Sequence, residues 1–300
     1  MPSVAPPYRG IFFMLLAALG FSIMGGAAKA LKESFNAGQL VFWRNSVGLI
    51  VLIISFAQRA PVNAGSKPLR LLFRGLMGTT ALYTLLYCIM HLPLGTAMSY
   101  NLTSALFIAL FSFFLFREYA GSKVLLAVLI GFSGMLLIYK PNIDLPWYYH
   151  LAGLISGISS AVAYLTVGKL TQYYDTRVIV ASFVVTGVVT PLLFVLVKFL
   201  LQLPADELFF IDWRWPSGTE WWWVLLLGTA ALFGQYFVTK AYGADKAGIV
   251  SAISYANIPF SIIIGMLLGD AFPDAYSFIG ILCIISSGVL VSFLKKRNAA

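Results

Sequence analysis

Leu92–Glu118 reads LPLGTAMSYNLTSALFIALFSFFLFRE. It is an apolar span with Ser99, Tyr100, Asn101, Thr103 and Ser104 gathered in its first half and a carboxylate at its end. Ala244–Asp270, in the second half of the chain, follows the same plan: ADKAGIVSAISYANIPFSIIIGMLLGD, with Ser251, Ser254, Tyr255 and Asn257 and a closing Asp. A helix that only had to cross lipid would not need such a cluster, because a buried polar group without a partner costs about 2–7 kcal/mol. Both spans are therefore expected to line a path for a solute.

The composition sets the class. The 300 residues are 60% hydrophobic and 10% charged, whereas soluble domains carry about 25% charged residues. The reading is an all-α polytopic membrane protein. Its 24 Phe and 7 Trp suit lipid-facing surfaces and interfacial anchors. The net charge of +9 does not indicate nucleic acid, because the basic residues stand in small groups between apolar runs, as topology signals do. Cys88 and Cys283 both fall inside apolar spans, so no disulfide framework follows. The first apolar run starts near Gly10 and lacks a small-residue cleavage site, which reads as a retained helix and not a signal peptide.

A membrane helix needs roughly 20 apolar residues. Ten spans meet this, at about 10–30, 38–57, 69–91, 94–116, 121–139, 149–170, 177–201, 219–241, 246–268 and 275–294. The long loop is 202–218, and Trp213, Trp215, Trp221, Trp222 and Trp223 around it read as an interfacial belt. With the N-terminus inside, the cytoplasmic segments hold Arg9, Arg59, Lys67, Arg70, Arg74, Arg117, Lys123, Lys169, Arg177, Lys240, Lys246, Lys295, Lys296 and Arg297, which is 14 of the 20 basic residues. The outer segments hold Lys29, Lys32, Lys140, Lys198 and Arg214. That bias places both termini in the cytoplasm.

The halves also align with each other. Gly10–Lys29 lies over His150–Lys169, GTTAL at 78–82 over GTAAL at 228–232, and Phe116-Arg117-Glu118 over Leu268-Gly269-Asp270. Five spans is an odd number, so two such halves must face opposite ways. Inverted repeats mark transporters whose site lies near the midplane between the halves.

Ionisable groups inside a membrane span are costly and usually functional. Arg44, in FWRNS, sits inside the second span. It reads as a cation for an anionic group of the substrate or as a gate, the alternative being snorkelling to the interface. Lys29 and Lys169 lie at span ends and read as snorkelling. No Asp or Glu falls near the middle of any span, which argues against a proton-driven exporter of organic cations. Polar stripes recur at helical spacing: Thr80, Tyr83, Thr84 and Tyr87, then Tyr100, Thr103, Ser104 and Phe107. The second half offers Ser156, Ser159, Ser160 and Tyr164, then Gln235, Tyr236 and Thr239, then Ser251, Ser254, Tyr255 and Asn257. Aromatic walls with a few amides and hydroxyls suit a small organic solute, although small hydroxylated residues also serve helix packing. Gly25-Gly26 is expected to interrupt the first helix, and Pro259 the ninth. Catalytic, cofactor and metal motifs such as HExxH, CxxC, GxSxG and the P-loop do not occur. Asp270 and Asp274 form a lone DxxxD, too few carboxylates for a magnesium-diphosphate site.

Taken in order, these features resemble the drug/metabolite transporter superfamily, in its ten-helix branch with two EamA repeats. The resemblance rests on Phe42-Trp43-Arg44-Asn45, Arg74-Gly75, the Leu92–Glu118 span, Gly131 and Gly134, and Tyr139-Lys140-Pro141. In the second half it rests on Thr239-Lys240-Ala241-Tyr242, Ala244–Asp270, Gly280 and Gly288. The nearest pattern is the group containing S-adenosylmethionine transporters. The resemblance implies EamA repeats at 8–140 and 147–295 and alternating access around a central cavity in a bacterial inner membrane. The substrate is then a small polar or zwitterionic metabolite of amino acid, nucleoside or S-adenosylmethionine type. Expected substrate-binding residues are Arg44, Tyr83, Tyr87, Tyr100, Asn101, Tyr164, Gln235, Tyr255 and Asn257, with Glu118 and Asp270 as gate or helix-end positions. Partners are the solute and the lipid bilayer, with no nucleic acid; a homodimer stays open. One departure is Val184, which stands where a repeat of Arg44 would fall. Rival readings are an intramembrane enzyme acting on a lipid-linked substrate and a non-catalytic membrane scaffold.

Overall fold

Among the described residues the long apolar runs are helices in the computed structural model, which describes residues 8–62, 65–91, 100–108, 110–111, 122–139, 146–204, 213–268 and 274–299. The helices are α1 (Arg9–Leu31), α2 (Ala37–Gln58), α3 (Pro68–His91), α4 (100–108), α5 (Ser122–Tyr139), α6 (Trp147–Leu170), α7 (Thr176–Leu201), α8 (Glu220–Ala244), α9 (Ala247–Ser254), α10 (Asn257–Leu267) and α11 (Ala275–Ala299). Among the described residues, seven spans are long and apolar enough to cross a membrane, counting α9 and α10 as one; α5 and α11 add shorter apolar stretches. The expected gate residues Glu118 and Asp270, and the stretch 205–212, lie outside the described residues.

Helix starts follow local chemistry. Asn36 caps α2 by accepting from the Gln39 N–H at 3.0 Å, and Asp175 caps α7 by accepting from the Arg177 N–H at 3.0 Å. Such caps satisfy backbone donors that a helix leaves open. Successive spans run antiparallel. The start of α1 meets the end of α8, where a Cβ on Gly10 would strike Asp245. The start of α3 meets the α6–α7 turn, where Tyr174 Oη accepts from the Lys67 N–H at 2.9 Å. At the other face, the Gln39 amide of α2 donates to the Arg214 carbonyl ahead of α8 at 3.0 Å.

Lateral packing pairs α1 with α8, α3 with α6, α5 with α11 and α2 with α7; α3 also meets α7, and α2 meets α8. The apolar core falls into two clusters. One is centred on α2, α3 and α7 with the second half of α1, and the other on α4, α5, α6 and α9–α11 with the first half of α1.

Two backbone expectations come out differently. Gly25-Gly26 does not interrupt α1, which runs unbroken. Gly26 instead lets α10 close in, since a Cβ there would lie 2.8 Å from Ile264. The ninth span does break, but at Tyr255-Ala256, ahead of Pro259. A proline ring clashes with the carbonyl four residues back, which here is that of Tyr255. Pro259 then sits in the first turn of α10, where a missing N–H leaves no bond unmade.

Candidate functional site

Between the two core clusters lies a cavity of about 110 Å³. Each flanking helix presents one stripe to it. On α3 the stripe is Arg74, Gly78, Ala81, Leu82 and Leu85; on α6 it is Ser160, Ala163 and Tyr164; on α8 it is Gln235 and Tyr242. Residues three, four and seven apart share a helix face, so the lining follows from helix periodicity once one member is fixed.

Two arginines dominate it. Arg44 enters from α2 and Arg74 from α3, 5% and 1% exposed. Their guanidinium carbons stand 5.0 and 4.9 Å from the centroid of the same ring, Phe183 of α7. Cations over an aromatic face gain from the ring quadrupole, so one phenylalanine holds both. Arg44 Nη1 also donates to Asn45 Oδ1 at 2.9 Å, and its Nε points to Met24 Sδ at 3.4 Å. Arg74 Nε and Nη1 have no hydrogen-bond partner, and neither has Gln235 Nε2. No described lining residue is Asp or Glu.

The amides play more structural parts. Asn101 Nδ2 donates to Ser156 Oγ (3.1 Å) and Ser160 Oγ (3.2 Å), while Ser156 Oγ donates to the Ala81 carbonyl (3.0 Å), tying α4, α6 and α3 together. Asn257 Nδ2 donates to the Ala18 carbonyl at 3.1 Å, and Ser22 Oγ donates to the Asn257 carbonyl at 3.0 Å, which fastens the broken span to α1.

Tyr164 and Tyr242 stack with ring centroids 5.1 Å apart and planes 13° from parallel. They line the cavity on one side and, on the other, a vestibule of about 1010 Å³ at the face where α1 begins. Arg70, Lys169, Lys246 and Asp245 rim that vestibule. At the opposite face, Trp43 packs among Trp213, Trp215 and Trp221.

Of the residues singled out in the sequence, the cavity brings together Arg44, Asn101, Tyr164, Gln235 and Asn257. Four others stand elsewhere. Tyr83 packs edge-on to Phe194 of α7. Tyr87 joins His91 and Tyr149 at the far end of α3, and Tyr100 pairs with His150 there. Tyr255 is fully buried against α5, where a Cβ on Gly131 would fall 2.5 Å from its ring. Sequence reasoning passed over Arg74, Phe183 and Tyr242. Arg74 was grouped with the loop cations, although it lies inside α3 with Gly78 one turn on, and that spacing was the available signal.

Residues 8–140 match the EamA-like transporter family. The chain is similar to an "Uncharacterized transporter" of Helicobacter pylori, 29% identical over 294 residues and 94% of each chain. It is 28% identical to the "Pseudopaline exporter CntI" of Pseudomonas aeruginosa, over 96% of this chain and 97% of that one. More distantly, it is 21% identical to the "S-adenosylmethionine uptake transporter" of Rickettsia prowazekii, over 97% and 94%. A solved structure 20% identical in sequence superimposes with a TM-score of 0.72, covering 98% of this chain and 97% of the other, and so shares the fold. Apolar helices around a polar cavity thus go with a matching family domain and with relatives named as transporters: residues 8–140 of this chain form a domain of the EamA-like transporter family.

Proposed function

We propose that the protein is a secondary transporter that moves a small polar metabolite across the bacterial inner membrane by alternating access. The observation that carries this reading is the mid-bundle cavity with its buried arginines, divided from a wide vestibule by one stacked tyrosine pair. Parting Tyr164 from Tyr242 connects the cavity to the vestibule, and closing them while the Trp-rich face opens would complete the cycle. Rocking of one helix group against another around a fixed site is the usual mode in such folds.

The helix pairings support two inverted repeats of five spans, 8–140 and 147–295. If α1–α5 are exchanged with α6–α11, the α9–α10 pair counting as one span, the α1–α8 pairing becomes α6–α3, and α3–α7 becomes α8–α2. The α2–α7 and α5–α11 pairings map onto themselves. Both termini then face the same side, and the Lys/Arg bias makes that side the cytoplasm. Glu118 and Asp270 remain proposed helix-end or gate positions. The transporter relatives support solute movement, and the substrates in their names differ enough to leave its chemistry to the cavity. The test is counterflow in proteoliposomes loaded with amino acids, nucleosides, S-adenosylmethionine or small carboxylates. Saturable exchange of one class is expected; no exchange in any class refutes the reading.

A further inference from the structure

We propose that the cavity selects a compact dianion, one negative charge for each of Arg44 and Arg74. This deepens the transport reading and rests on the same cavity. Two buried guanidiniums share one ring and are met by no described carboxylate. The sequence reinforces this, since all eleven acidic residues lie at span ends or in connections. A buried charge without a counter-charge is strongly disfavoured, so the missing anions belong to the ligand.

The hydrogen-bonding inventory says the same. The buried atoms left without partners around the cavity are Arg74 Nε and Nη1 and Gln235 Nε2, all donors. A ligand that satisfies them must present acceptors, and carboxylate or phosphate oxygens are acceptors only. The space suits a small solute: about 110 Å³ is open to the centre of a water-sized sphere, and roughly 10–15 Å³ of such space holds one water. The vestibule is matched to such a solute, since Arg70, Lys169 and Lys246 face it against one carboxylate, Asp245. Neutral nucleosides leave both guanidiniums uncompensated, and S-adenosylmethionine brings a cation to them.

The test compares isosteres on the full-length protein in detergent. Binding of succinate, its monoamide succinamate, glycerol 3-phosphate and S-adenosylmethionine is measured by calorimetry, and exchange by counterflow. A dianion is expected to bind about tenfold or more tightly than the monoamide, the worth of one charge-assisted contact. The succinate and phosphate arms report which anionic group fits. Arg44→Gln should remove the preference for two charges over one while the protein still folds. Equal affinity for succinate and succinamate, or tighter binding of the cation, overturns the proposal. Dianion binding without counterflow leaves the anion site standing and overturns transport; counterflow of neutral solutes without dianion preference does the reverse.

Discussion

Replacing Arg74 by methionine should make the empty protein more stable. Arg74 is 1% exposed, and its Nε and Nη1 are unpartnered. An unsatisfied buried donor costs about 1–3 kcal/mol. Both guanidinium carbons lie about 5 Å from one centroid, so they are roughly 10 Å apart or closer, where two unit charges repel by about 1.7 kcal/mol at an effective dielectric near 20. Against this, the contact with Phe183 is worth about 0.5–2 kcal/mol. Methionine fills much of the same space without charge. The balance favours the variant by roughly 2–3 kcal/mol, or about 4–12 °C if each kcal/mol moves the midpoint by some 2–4 °C. The assay is thermal unfolding of ligand-free protein in detergent. Arg44→Met serves as the comparison and should gain less, because two of its donors already have partners. The stabilisation by bound ligand, RT ln(1 + [L]/Kd), should collapse in Arg74→Met. A drop in the midpoint of the empty variant, as for an ordinary core substitution, would show that the Arg74 charge is compensated in the folded state and would refute the reasoning.

Other outcomes follow from neighbouring contacts. Tyr164→Ala removes half of the stacked pair; with Cys88 and Cys283 replaced, a Ser160→Cys probe should react several-fold faster with an impermeant thiol reagent, and an unchanged rate would show that the pair is not the barrier. Gly75→Leu should destabilise the α3–α7 contact, by about 1–3 kcal/mol for overpacking, because even a Cβ there would lie 2.6 Å from the Ser182 carbonyl oxygen. It should also weaken substrate binding by displacing Phe183; a variant with wild-type midpoint and affinity would refute this.

The Asp175 carboxyl lies outside the spans and gives a pH test. Burial works against its charge, but hydrogen bonds from the Arg177 backbone and guanidinium outweigh that and hold it below the ordinary carboxylate value. Its contribution is therefore full above the ordinary pKa and lost as pH falls through the depressed one. Asp175→Asn should lower the midpoint at neutral pH and flatten its decline in acid, and an unchanged acid limb would refute this.

The sequence made the helices legible because a membrane span must satisfy its backbone internally over a fixed length, which leaves long apolar runs. It was less informative about which face of each helix looks inward. Tyr83 and Tyr87 seemed as good as Asn101 until the phase of α3 was known, and that phase is set by packing on α6 and α7. Arg44 and Arg74 stand at similar depth, seven and six residues inside their helices. One was read as embedded and the other as a topology signal, only because Arg70 and Lys67 precede Arg74. Tyr255 shows another limit. At a helix break a large polar side chain suggests a binding site, and in the fold it fills the gap that Gly131 leaves on α5.

The stacked tyrosines also bound a population. An aromatic pair is worth about 0.5–1.5 kcal/mol beyond the area it buries. Were that the only contact holding the vestibule side shut, the parted state would make up roughly 7–30% of the population. A door that light would need no ligand to open it. On the proposed alternating-access cycle the larger barrier would then fall to the opposite face, where four tryptophans crowd around the start of α2.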